Sequence, residues 1–125
     1  MYATTVTTEF VAQHYLTVVD DGPESVPHSH QFAVELTFRG PALNEHDYLV
    51  DIDDADAALA DIADRYRDAL LNDFSEFDGR NPSVERFARV IFERVTAAVT
   101  DDTVSEVAVT VWEDDDAGAT YDGPV

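Results

Sequence analysis

Taking every second residue from His28 gives His28, His30, Phe32, Val34, Leu36 and Phe38. Strict alternation of this kind places all six side chains on one face of a β-strand. The apolar end of the stripe belongs to a core. The other end carries two imidazoles that project the same way, with Cβ atoms about 7 Å apart. Two neutral imidazoles at that separation can bind one metal ion, or they are simply two surface histidines where a strand begins.

A third histidine bears on the choice. Val6, Thr8, Phe10, Ala12, His14 and Leu16 alternate in the same way. Taken alone, His14 reads as a core histidine bonded to a backbone carbonyl. If the two strands pair, His14, His28 and His30 converge on one side of one sheet. Three nitrogens with an open fourth position describe a catalytic zinc site rather than a closed structural one.

Charge sets the setting. The chain of 125 residues carries 27 acidic residues against seven basic ones, a net charge of −20, and every basic residue is an arginine. Nucleic acid is a poor partner for such a surface. The acids are spread along the chain, unlike a calcium loop. Molar salt shortens the Debye length to about 3 Å and removes most of the self-repulsion. A protein adapted to a salty, halophilic cytoplasm is therefore expected, with the charge reporting the solvent and not the substrate. The length suits one domain, residues 1–125, and the 45% apolar content a folded core. No run approaches a membrane span, and the first residues do not read as a signal peptide, so the expected location is cytoplasmic. The absence of cysteine excludes disulfides, thiolate ligands and a thiol nucleophile.

The pattern divides the chain into six elements. A strand over 4–19 is followed by a turn at Asp20-Asp21-Gly22-Pro23 and a strand over 28–39 that Gly40-Pro41 ends. Ala55, Leu59, Ile62, Tyr66 and Leu70 give helical spacing over 53–71. A loop over 72–80 leads to a second helix, with Asn81 as its cap, Pro82 at its first position and a stripe from Val84 through Phe87, Ala88, Ile91 and Val95 to Val99. A third strand, 105–113, carries Val107, Val109, Val111 and Glu113 on one face, and a short strand at 119–121 follows a turn. The expected fold is α+β, in the order ββααββ: a four-stranded antiparallel sheet with both helices on one face.

The residues that carry chemistry stand in a distinctive order. Phe10 to His14, Glu24-x-x-x-His28-x-His30, Asp51, Asn81-Pro82-Ser83-Val84-Glu85, Val111-Trp112-Glu113 and Tyr121 together resemble the 6-pyruvoyltetrahydropterin synthase family, which includes the 6-carboxytetrahydropterin synthases. The resemblance covers nearly the whole chain. It implies the tunnelling fold, assembled as trimers that stack into a homohexamer. It also implies zinc on His14, His28 and His30, and Glu113 as the anchor of a pterin ring. A carboxylate suits that ring, whose 2-amino and N3–H groups are adjacent donors. Without the resemblance, Glu113 reads as one more strand-end acid.

Two departures from the family pattern redirect the reading. The family's cysteine, four residues before the first histidine of the pair, is here Glu24. The family's Leu-Asp-His segment falls at Tyr66-Arg67-Asp68; a one-residue shift keeps Asp68 as the aspartate but puts Ala69 in place of the histidine. The usual relay cannot operate. The chain resembles at Glu24 the branch with glutamate in the cysteine position, which cleaves the side chain of dihydroneopterin triphosphate to 6-hydroxymethyl-7,8-dihydropterin. The resemblance therefore implies a zinc-dependent lyase with Glu24 as base and Asp68 assisting. The alternatives are a pyruvoyl or carboxy synthase with a rearranged relay, and a zinc- or pterin-binding oligomer without catalysis.

Overall fold

The computed structural model describes residues 1–18 and 21–125. Four strands, β1 (Tyr2–His14), β2 (His28–Gly40), β3 (Glu106–Trp112) and β4 (Gly118–Pro124), form one antiparallel sheet in the order β1-β2-β3-β4. Two helices, α1 (Ile52–Tyr66) and α2 (Val84–Ala98), lie between β2 and β3 in the chain. The ββααββ order read from the sequence is the observed one.

Alternation in the strands becomes a two-sided sheet. Phe32, Val34, Leu36 and Phe38 of β2 are fully buried, as are Val107, Val109 and Val111 of β3, and they pack against Leu59, Ile62, Phe87, Ile91 and Val95 of the helices. The opposite face is polar and carries threonine pairs across the strands, Thr5 with Thr37 at 3.0 Å and Thr110 with Thr120 at 2.7 Å. Burying one large aliphatic side chain of this core stabilises the fold by roughly 1.5–3 kcal/mol. At the end of β2 the backbones come so close that a Cβ on Gly40 would lie 2.0 Å from the Thr103 carbonyl oxygen. Only glycine fits there.

Several boundaries differ from the sequence reading, each for a local reason. β1 begins at Tyr2 and stops at His14, because beyond it Tyr15 and Thr17 give their backbone N–H groups to the side chains of Asn72 and Asn81. Val19 and Asp20, the end of the expected strand and the start of the expected turn, lie outside the described residues. α1 starts one residue early, capped by the Asp51 carboxylate on the Asp53 N–H at 2.9 Å, and ends at Tyr66 rather than Leu71. It ends because Asp68 takes a left-handed φ of 60° and donates its N–H to the Val11 carbonyl of β1 at 2.7 Å. Aspartate tolerates that conformation better than most residues. Asn81 is not the cap of α2: Ser83 is, with its Oγ accepting from the Arg86 N–H at 3.1 Å, so Pro82 lies before the helix. β4 is longer than expected, running from Gly118 to Pro124 against β3.

Candidate metal centre

The pairing of β1 with β2 sets His14 directly opposite His28, and Ala12 opposite His30. All three imidazoles point to the helix side, at the end of the sheet where the apolar stripe stops at Phe32. Their ring centroids lie 4.6, 5.1 and 5.0 Å apart, and Phe32 closes one side at 5.8 Å from His14 and 5.7 Å from His30.

Glu113 completes the group. It sits one residue past β3 and keeps the parity of Val107, Val109 and Val111, so its side chain joins the same face. One ligand atom from each of His14, His28, His30 and Glu113 lies within 4.8 Å of all the others. Glu113 Oε1 is 2.8 Å from His30 Nε2 and 3.5 Å from His14 Nε2.

Backbone carbonyls orient the rings. His14 Nδ1 donates to the Pro82 carbonyl at 2.8 Å, and His28 Nδ1 to the Val26 carbonyl at 2.9 Å. Each bond places the proton on Nδ1 and leaves the Nε2 lone pair free to face inward. The core-histidine reading of His14 and the ligand reading thus hold together, one on each nitrogen. Burial is the main influence on His14 and holds its imidazole below the ordinary range, partly opposed by the Pro82 bond. A neutral ring follows at neutral pH.

Two of these nitrogens, His14 Nε2 and His30 Nε2, are buried without a hydrogen-bond partner. The short approach of Glu113 to His30 is therefore a contact without hydrogen-bond alignment. Buried, unsatisfied polar atoms are costly, and a lone pair beside a carboxylate oxygen is repulsive. A cation shared among them removes both penalties. Three imidazole nitrogens with a carboxylate beside them suit zinc, and carbonyls that orient the rings from behind are what such a site requires. The residues present fit the ion.

The other expected site residues stand apart. Glu24 is exposed, on the single 3₁₀ turn Pro23–Ser25 that leads into β2, and its backbone carbonyl accepts from the Leu16 N–H at 2.8 Å. Asp68 is exposed in the turn after α1. Neither belongs to the four-residue group. An open cleft beside the group is lined by Glu9, Ser29, His30, Gln31, Glu113, Asp114 and Asp115, so His30 and Glu113 can be reached from outside. The sequence reading gave His14 a backbone carbonyl only as the alternative to metal binding and named neither Pro82 nor Val26. It gave Glu113 to the pterin ring, whereas the structure also sets it beside the histidines. The shared parity of Glu113 with the valines of β3 was the available signal.

The family model described as 6-pyruvoyl tetrahydropterin synthase matches residues 3–124. A search of curated proteins by sequence finds no match. Among solved structures, 6-pyruvoyl tetrahydropterin synthase from Caenorhabditis elegans superposes with a TM-score of 0.81 at 18% identity, over 98% of this chain and 95% of that one. The enzyme from Plasmodium vivax gives 0.77 at 13% identity over the full length of both chains. A variant of the Plasmodium vivax protein, described as having a catalytic glutamate replaced by cysteine, also gives 0.77, at 14% identity over the full length of both. The fold is shared throughout; at these identities the likeness extends no further.

Proposed function

The chain belongs to the 6-pyruvoyl tetrahydropterin synthase family, and from that premise we propose that it is a zinc-dependent lyase acting on the side chain of 7,8-dihydroneopterin or its triphosphate. The product is 6-hydroxymethyl-7,8-dihydropterin. The observation that carries the reading is the convergence of His14, His28, His30 and Glu113, with two buried ring nitrogens left unpartnered.

His14, His28 and His30 hold the ion. When bound, zinc supplies Lewis acidity toward a hydroxyl oxygen of the substrate side chain. Glu113 lines the open cleft and orients the ring, accepting from its 2-amino and N3–H donors. Glu24 takes the proton of the outer hydroxyl. The bond between the two hydroxyl-bearing carbons then breaks, the outer carbon leaves as an aldehyde, and the electron pair passes into the dihydropterin ring. A proton returned to the inner carbon, with Asp68 assisting, completes the cleavage. General acid–base help of this kind is worth about 10²–10⁴-fold.

Support for a glutamate base comes from the Plasmodium vivax variants, whose descriptions name a glutamate as catalytic residue. The exposed edges of β1 and β4 favour assembly through added strands, in keeping with a homohexamer. A second reading, a zinc- or pterin-binding oligomer without catalysis, draws on the exposure of Glu24 and Asp68 outside the metal group. Incubation of zinc-loaded protein with dihydroneopterin and with its triphosphate, followed by mass analysis, decides between them. Hydroxymethyldihydropterin and the matching aldehyde are expected. Bound but unchanged pterin rules out the lyase, and a pyruvoyl or carboxy product reassigns the reaction.

A further inference from the structure

The seven arginines of this chain are unevenly placed. Arg65 and Arg94 are held by Glu76, and Arg67 by Asp64. Three of the remaining four, Arg80, Arg86 and Arg89, line one cleft of about 490 Å³ at the start of α2. Glu85 is the only carboxylate on its wall. The whole chain has 27 acids to seven arginines, whereas this wall has one acid to three arginines. Among the described residues, Arg80 and Arg86 enter no ion pair. Arg89 bonds Glu93 at 3.2 Å, and its guanidinium lies 4.7 Å from the centre of the Tyr121 ring, which stiffens it.

We propose that this cleft is a binding site for a polyphosphate oxyanion, held by the guanidinium groups of Arg80, Arg86 and Arg89. Guanidinium forks match phosphate oxygens in pairs, and several together favour a di- or triphosphate over a single small anion. The contrast with the other cleft sharpens the assignment. The opening over His30 carries Glu9, Glu113, Asp114 and Asp115 and no arginine, so it repels the same ligand. Pro82, whose carbonyl holds His14, lies in the chain between Asn81 and Ser83 of the arginine cleft, which ties that cleft to the histidine group. A phosphate tail of the proposed substrate and a free polyphosphate share this chemistry.

The site is read by binding alone and does not depend on the pterin reaction. Inorganic triphosphate is titrated calorimetrically into the full-length protein in potassium chloride, with ionic strength held constant. Saturable binding at one site per chain is expected. The pair Arg80→Ser and Arg86→Ser should weaken it by about tenfold or more, while Arg39→Ser, on the polar face of the sheet, leaves it unchanged. If the double variant does not fold, Arg80→Gln alone should weaken binding severalfold. Absence of saturable binding, or equal weakening by Arg39→Ser, overturns the proposal. Turnover separates the sources. A KM raised for dihydroneopterin triphosphate but not for dihydroneopterin assigns the cleft to the substrate's tail. An unchanged KM for both, with triphosphate binding lost, assigns it to a free polyphosphate.

Discussion

Two carboxylates, Glu76 and Glu113, are both partly buried beside other ionisable groups, and their surroundings are opposite. Glu76 accepts from Arg65 through two nitrogens at 2.8 Å each, from the Tyr66 hydroxyl at 2.6 Å and from Arg94 at 3.2 Å. The Arg65 bond, opposed by burial, holds its carboxyl at about 2. Burial and the neighbouring carboxylate push the Tyr66 hydroxyl up to about 12. Glu113 meets imidazole nitrogens that have no aligned donor to offer. One cluster is complete within the chain and ties α1 to α2 through the connection between them. The other leaves two buried ring nitrogens without a partner among the described residues. A charged group that is fully partnered contributes to stability; one left unpartnered among lone pairs marks a site.

Metal content should separate the two clusters most strongly. The protein should carry about one zinc per chain, and His28→Ala or His30→Ala should lose most of it, while Glu76→Gln loses none. Elemental analysis checks this, and full zinc in either histidine variant refutes the site. Next in size is turnover. Glu24→Gln should lower it by roughly 10²–10⁴-fold with zinc retained. Wild-type turnover in that variant would return Glu24 to the acidic surface. Glu113→Gln sharpens the assignment of that residue: weakened pterin binding with zinc kept marks a ring anchor, whereas zinc loss marks a fourth ligand.

Smaller effects belong to the completed cluster. Glu76→Gln should cost about 1–3 kcal/mol at neutral pH, read from denaturant midpoints. Because the folded carboxyl is held at about 2, below its ordinary 4.5, its contribution is complete above 4.5 and is lost as pH falls toward 2. Wild type should therefore lose stability over that window more steeply than Glu76→Gln, and equal slopes would remove the argument. Smallest for each charge, but summed over a net −20, is the salt effect: the thermal midpoint should rise between dilute and molar potassium chloride.

Much of this was legible in the sequence because period-two alternation is a local signal. His28, His30 and Phe32 announce a shared face without reference to any other segment, and so do Phe10, Ala12 and His14. The α2 stripe from Phe87 to Val95 was equally plain. What escaped depends on contacts across the chain. Asn81 looked like a helix cap by its neighbours, but its side chain is taken by Thr17, 64 positions away. The carbonyl of Pro82 aims His14 across 68 positions. The Glu76 cluster joins Arg65, Tyr66 and Arg94 at spacings no motif records. Main-chain acceptors leave no trace in residue identity, so a carbonyl could be expected for His14 but not identified as that of Pro82, and the one that orients His28 was not read ahead.

The left-handed turn at Asp68 has a consequence for the outer edge of β1. Asp68 donates to the Val11 carbonyl, the Gln13 N–H donates to Ala69, and Gln13 bridges to Leu70. The chain's own connection thus occupies the last part of that edge. Among the described residues, the outward-facing backbone of Ala3, Thr5, Thr7 and Glu9 stays open. A further strand laid along β1 has room for about eight residues, or ~27 Å, before it collides with the Asp68–Leu70 segment. The turn therefore acts as a buffer stop: it limits the length of any strand added along that edge and keeps it clear of the histidines.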